Sequence, residues 1–426
     1  MRFAAKIENV KKLKFQNAYS LWVKITDVLA DTVKISSSLK GKIVKITREF
    51  PKNAPQPSKG ELIVLDEAET KNAIAKIKKP KKIPKISHNK SVKYLADLNG
   101  DGYDEMFLGN SFAKMVISPI RAGRIVYLST NDGESFFDNT YLKCIWHTFA
   151  CGASFTKGKS KNFDIESAKF EPEKMESNKI FSDDEKCSVS IKSKISNVHT
   201  TIKTELSANS PVFKISLNLD NSAKKTKAIT IEPYFKLNIK PFGYKSSDLY
   251  FQEPSGEIFH CSQKSVYAFW DFNDEWINYI GDIKTDKYGF FAIGRESTGD
   301  GLCISFDTKT IPRVWSNKYA PLPHIKMLLA KKRIPKNSGA NFEIFLTPMT
   351  KFKIANGFLL GYTKSDSGCF IIAAGRKKPR VSIIVNGIIK KLELQQISNT
   401  MFGKFIDNLP DTIELKNGNI KLVPKR

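Results

Sequence analysis

Between about residues 91 and 350 the chain alternates apolar and polar residues in short runs, and this period of two constrains the fold more than any other feature. Runs of this kind are Ala113 to Ile117, Arg124 to Leu128, Thr200 to Leu206, Pro211 to Leu217, Phe290 to Ile293 and Leu302 to Phe306. Turn segments rich in Asn, Asp, Ser and Gly separate them. A helical period shows only around Ile325 to Lys331. A stretch of strands this long, with no repeat of fixed length, reads as an all-β fold built on one large β-sandwich or two stacked ones, not as a propeller.

Shorter strand-like runs precede it at Ser20 to Ile25, Thr32 to Ile35, Lys42 to Ile46 and Glu61 to Leu65, with a proline-rich loop from Phe50 to Ser58. They outline a small β-barrel-like domain over 1–70. Residues 71–93 carry nine lysines and no acidic residue, and Pro80 and Pro84 break any helix there. The segment is a tether between domains or a patch for an anionic polymer. It lacks the interleaved aromatics on which single-strand binders stack bases. The sandwich is expected over 94–352 and a C-terminal β module over 353–426. In that module Val381 to Ile388 reads as a hairpin with Asn386-Gly387 at its turn, and Thr412 to Leu422 as a second one.

At 426 residues with a formal net charge of +26, the chain has room for several domains and an excess that favours anionic partners. Most of that excess is lysine, a hydrated point charge without arginine's planar fork, and a lysine-rich codon bias produces the same surface without a partner. The six cysteines form no C-x-x-C pair and read as free thiols rather than zinc ligands or a disulfide frame. No run of about 18 apolar residues spans a membrane. The first residues form no apolar signal core, so a cytoplasmic location is expected.

One loop has the spacing of a calcium site. Asp97, Asn99, Asp101, Tyr103 and Glu105 fall at loop positions one, three, five, seven and nine, with Gly102 at six permitting the turn. Tyr103 would contribute its carbonyl oxygen. Leu108 stands where an EF-hand carries its bidentate glutamate, so the loop is a free-standing turn between strands. A structural calcium ion is the expected cofactor; an Asn/Asp/Gly turn that binds nothing is the alternative.

The residues after this loop carry a family resemblance. Met115 to Leu128, with Pro119 and Arg121-Ala122-Gly123-Arg124 inside it, resembles the opening of galactose-mutarotase-like (aldose-epimerase-type) β-sandwich domains. It is similar to the β-domains attached to some archaeal glucanotransferases. Thr230 to Leu237 resembles the mutarotase strand of pattern His-Pro-Tyr-Phe-x-Leu, and Ile334 to Pro348 resembles the closing segment. In that family the histidine of the middle motif is a general acid facing a glutamate base on a later strand. Here Glu232 occupies the histidine position, and no residue matches the later glutamate. An acid–base pair needs two groups at different pKa values on opposite sides of the sugar ring.

What the resemblance implies is a carbohydrate ligand. Glu232 with His147 or His260 would be the groups to act on a sugar, by epimerisation or polysaccharide cleavage if there is turnover. Arg121, Arg124, Tyr234, Trp270, Trp276 and Trp315 would line the pocket, since sugars pack C–H faces on rings and bond their hydroxyls to polar groups. Aromatics at alternating strand positions also fill ordinary cores. Two other functions stay open: binding of nucleic acid or another anionic polymer through the basic N-terminal region, and a structural or assembly role without catalysis.

Overall fold

A computed structural model of the chain describes residues 3–12, 18–28, 43–49, 62–65, 86, 89–98, 104–121, 123–133, 135–136, 149–156, 163–164, 170–175, 177, 179–195, 198–221, 228–238, 247–252, 258–262, 283–284, 289–295, 299–307, 309–311, 313–317, 324–328, 332–366, 368–375 and 377–424. Among them the secondary structure is strand, apart from short 3-10 turns at Pro119–Arg121 and Lys416–Gly418. The chain divides into two units: Met1–Pro84 with Ala96–Asp104, and Lys85–Leu95 with Glu105–Arg426.

The first unit holds an antiparallel four-stranded sheet in the order Ile43–Glu49, Ala18–Val28, Phe3–Lys12, Leu62–Leu65. The expected run Thr32 to Ile35 lies outside the described residues, as do residues 71–85 of the lysine-rich segment; its last three residues open the strand Ser91–Ala96, where Lys93 pairs with Glu173 at 2.7 Å.

The second unit is a stack of sheets. The largest, twelve-stranded, runs through Ser91–Ala96, Glu105–Gly109, Ala113–Ser118, Arg124–Thr130, Phe149–Thr156, Ile229–Asn238, His324–Leu328 and Arg313–Asn317 in spatial order. Its inner face carries Met106, Met115, Ile117, Ile125, Leu128, Phe235 and Met327. These pack against a nine-stranded sheet whose facing residues include Phe213, Ile215, Leu217, Phe291, Ile304, Ile344 and Leu346. Fully burying each such side chain stabilises by about 1.5–3 kcal/mol. The strand Val198–Ser207 shows why the pattern was readable: its residues alternate buried and accessible along VHTTIKTELS.

The back of the nine-stranded sheet is also covered. Five-stranded and four-stranded antiparallel sheets from residues 351–422 complete the stack. The strand Gly368–Gly375 is buried at every position. Phe370, Ile372 and Ala374 enter the large core, while Cys369, Ile371 and Ala373 enter a second core with Val381, Ile383, Ile413 and Leu415. One strand therefore serves two cores, and its apolar run is continuous because neither face meets water. The C-terminal residues belong to the same compact unit as the sandwich. Thr363 Oγ1 donates to the Pro348 carbonyl at 2.6 Å across the junction.

The helical period read at Ile325 to Lys331 is overturned. His324–Leu328 is a central strand pairing on both sides, and tertiary pairing decides between the two for so short an apolar run. The Asn-Gly hairpin is as expected: Val381–Val385 pairs Ile388–Leu392, with Asn386 and Gly387 at φ 50° and 77°, the left-handed pair of a type I′ turn. The second hairpin turns more widely, through the 3-10 turn Lys416–Gly418, and its left-handed residue is Asn419.

Candidate functional site

Cross-strand register sorts the residues of the largest sheet by face, because directly opposed residues share a face and neighbours along a strand alternate. Phe235, buried in the core, lies opposite Cys151 on one side and Met327 on the other. Glu232, Tyr234 and Lys236 therefore occupy the outer face of the strand Ile229–Asn238. Tyr234 stands in a row with Leu328 and Arg313, and Lys236 in a row with Lys326 and Trp315. Arg124, opposite Ser118, belongs to the same outer face because the next pair along, Ile117 and Ile125, is core.

Of the residues singled out from sequence, Arg124, Glu232, Tyr234 and Trp315 thus share one face. On the strand between Arg124 and Glu232, the outer positions are Ala150, Gly152 and Ser154, which lie opposite Lys236, Tyr234 and Glu232. All three are small residue types. Three basic residue types that sequence reasoning did not select, Arg313, His324 and Lys326, also register on this face. Nothing local flags them; the face of each follows only from pairing with strands far away in the chain.

Nearer Arg124 the outer face is covered. Phe107 is 0% exposed and stacks on Tyr94 with ring centroids 4.7 Å apart. Lys114 is half-buried there, donating from Nζ to the Asn131 carbonyl at 3.1 Å; burial pushes its amine below the usual lysine range, against the raising effect of Asp132.

His260 falls elsewhere. It sits on the edge strand Ile258–Ser262 of the nine-stranded sheet, opposite Tyr250, which in turn pairs Ala292. Phe291 and Ile293 on that ladder point into the core with Ile304 and Leu302. His260 therefore registers with Ala292 and Cys303 on the back of the nine-stranded sheet, a different sheet from that of Glu232. Arg121 closes the 3-10 turn Pro119–Arg121. His147, Trp270 and Trp276 lie outside the described residues, as do Asn99, Asp101 and Tyr103 of the acidic loop. Asp97 directly follows the strand Ser91–Ala96 and is half-buried, and Glu105 opens the strand Glu105–Gly109 at 1% exposure. Among the described residues no three His, Cys, Asp or Glu side chains gather into a metal-binding group.

A separate cleft of about 630 Å³ lies where the nine-stranded sheet meets the five-stranded one. Its polar side is Asn209, Gln395, Gln396 and Lys404, and its apolar side includes Phe345, Phe370 and Phe405. Phe405 meets Phe112 edge-on at 5.7 Å. Gly403 is required here, since a Cβ would run into the Phe370 ring. At one end Glu205 accepts from Lys203 and Lys186, each at 3.0 Å. Burial pushes its carboxyl up, but the hydrogen bonds and charges of the two lysines outweigh this and hold it below the usual glutamate range. Rings beside side-chain amides suit a sugar ring or a peptide; sequence gave no sign of the cleft because its walls lie about 190 positions apart.

No protein-family model matches the chain, and no curated protein is similar to it by sequence. Among solved structures it is similar to a TPR-domain containing protein from Parabacteroides distasonis, at 13% identity over 58% of this chain and 47% of that one, with a TM-score of 0.38. It is also similar to a galactose mutarotase-like protein from Lactobacillus casei, at 9% identity over 57% and 99% of the two chains, TM-score 0.37. A third is 4-alpha-glucanotransferase from Thermococcus litoralis, at 12% identity over 64% and 40%, TM-score 0.34. The chain thus spans less than half of the Parabacteroides protein and of the glucanotransferase. Galactose mutarotase-like proteins and a glucanotransferase, the two classes the sequence resembles, both stand among these neighbours. A reaction and a ligand have to be argued from this chain's own residues.

Proposed function

We propose that the protein binds carbohydrate on the outer face of its largest sheet. The observation that carries this reading is the register of Glu232, Tyr234 and Trp315 on one face of three adjacent strands, beside a strand whose outer positions are small. A carboxylate and two aromatic residues on one face are the residue types that a sugar's hydroxyls and C–H faces call for. If the bound sugar is turned over, by epimerisation or by polysaccharide cleavage, Glu232 is the acid or base. His260, expected as its partner, registers on a different sheet and so is not placed to act with it.

The acidic loop from Asp97 to Glu105 would hold calcium in a structural role, with Asp97, Asn99, Asp101 and Glu105 as carboxylate and amide ligands and Tyr103 through its carbonyl. A polyanion-binding role for residues 71–93 rests on their charge alone.

The test is binding of the full chain to a panel of neutral and acidic glycans by thermal shift and calorimetry. Glu232→Gln and Tyr234→Ala should each weaken the responding glycan by about tenfold or more. Gln396→Ala in the separate cleft should leave that affinity unchanged. Binding that survives both sheet-face changes and fails with Gln396→Ala would move the ligand to the cleft and sink this site.

A further inference from the structure

The four-stranded C-terminal sheet carries a second basic feature, distinct from residues 71–93 and from the sheet face. A cleft of about 660 Å³ opens along its strands Val381–Val385 and Ile388–Leu392. That size falls in the roughly 300–1,000 Å³ range of ligand clefts. Lys378, Arg380, Lys391 and Lys416 line it, facing a single carboxylate, Glu393. All four cations are solvent-accessible, and among the described residues none of their side chains is in an ion pair. Their placement is fixed by the backbone. Arg380 donates its N–H to Asn417 Oδ1 at 3.1 Å, and Asn417 Nδ2 donates to the Lys378 carbonyl at 3.3 Å, tying the two loops together.

An independent observation points to a ligand. Ser382, which lines the same cleft, is 4% exposed, and its hydroxyl has no hydrogen-bond partner. A buried hydroxyl left unpaired is costly, and one beside unpaired cations is placed to donate to a bound oxyanion.

We infer that this cleft binds a segment of an anionic polysaccharide, its uronate or sulfate groups meeting the four cations and a hydroxyl or oxyanion meeting Ser382. Nucleic acid fits less well. No aromatic residue lines the cleft to stack a base, whereas Glu393 can accept from the free hydroxyls of a sugar chain. The ligand class rests on the carbohydrate reading above, but the site does not, because it lies on another sheet.

The experiment titrates the full chain into fluorescent oligogalacturonate, with dextran sulfate, neutral dextran and oligothymidylate as competitors. Lys391→Glu with Arg380→Glu should weaken oligogalacturonate by more than about tenfold, with the melting temperature unchanged since both side chains are exposed. Ser382→Ala should weaken it without lowering the melting temperature. Lys336→Glu, an exposed lysine elsewhere, should have no comparable effect. Equal loss with Lys336→Glu would overturn the proposal in favour of diffuse net charge. Preference for oligothymidylate, lost in the same double variant, would overturn the ligand class. Neutral-glycan binding that depends on Glu232 and ignores the double variant would confirm that the two sites are separate, so either can fail alone.

Discussion

The side-chain amide of Asn110 reaches the carbonyl oxygen of Ser207 at 2.8 Å, joining the two sheets of the sandwich across 97 positions of sequence. The same nitrogen donates to the Ser210 carbonyl at 2.7 Å, and Oδ1 accepts from the N–H groups of Phe112 and Ala113 at 2.8 and 3.0 Å. Every hydrogen-bonding position this fully buried amide uses is spent on backbone. Asn110→Ala leaves buried donors and acceptors without partners and should cost about 2–4 kcal/mol in urea unfolding. Asn110→Asp would face two carbonyl oxygens with a carboxylate. Burial and that repulsion would raise its folded pKa, so its stability deficit should be largest near neutral pH and shrink as the pH falls.

Two glycines with left-handed backbone separate strain from crowding. Gly123 has φ 67°, and a Cβ there would run into the end of the Ile191 side chain. Gly387 has φ 77° with nothing within 4 Å of the added atom. Gly387→Ala should cost about 1–2 kcal/mol from backbone strain alone. Gly123→Ala should cost more than that, and the difference measures how far Ile191 can give way.

The Glu205 cluster predicts a particular acid lability. A carboxyl whose folded pKa is depressed contributes stability above its unfolded value, and that contribution is lost as pH falls through the depressed one. Melting temperatures of the wild type and of Glu205→Gln, followed from about pH 6 to about pH 3, should differ at the upper end and converge at the lower. Constant separation across that range would mean that the cluster with Lys203 and Lys186 contributes nothing through charge.

Calcium occupancy of the Asp97 to Glu105 loop should raise the melting temperature, and chelation should reverse it. At a calcium concentration a hundred times the dissociation constant, the linkage amounts to about 2.7 kcal/mol. Asp101→Asn should blunt the response, since it removes charge and keeps shape. A melting temperature indifferent to both calcium and chelator would leave the loop a plain turn.

Strand-by-strand, much of the fold was legible because its signal is local. Val198–Ser207 alternates plainly, and Asn386-Gly387 announces its own hairpin. What failed was whatever depended on partners. His324–Leu328 is too short for its period to be read without the strands on either side. Gly368–Gly375 gave no hint that its odd and even residues enter different cores, a fact set by two sheets folded from the residues around it. The candidate sites divide the same way. Glu232 and Tyr234 are neighbours on one strand and came from a motif, whereas Arg313 joins their face through a register that spans about 80 positions. The cleft cations Lys378, Arg380, Lys391 and Lys416 became a group only once two hairpins had closed.

Burial in two cores has one more consequence. Cys303 lies in the larger core and Cys369 in the smaller, each 0% exposed. Burial pushes the thiol of Cys303 up to about 12 and that of Cys369 higher still, so neither is a thiolate while the chain is folded. Cys303 and Cys369 therefore act as silent clocks, one for each core. Each begins to react with an alkylating reagent only when its own core opens, and the order in which they do so records whether the stack of sheets comes apart one layer at a time or all at once.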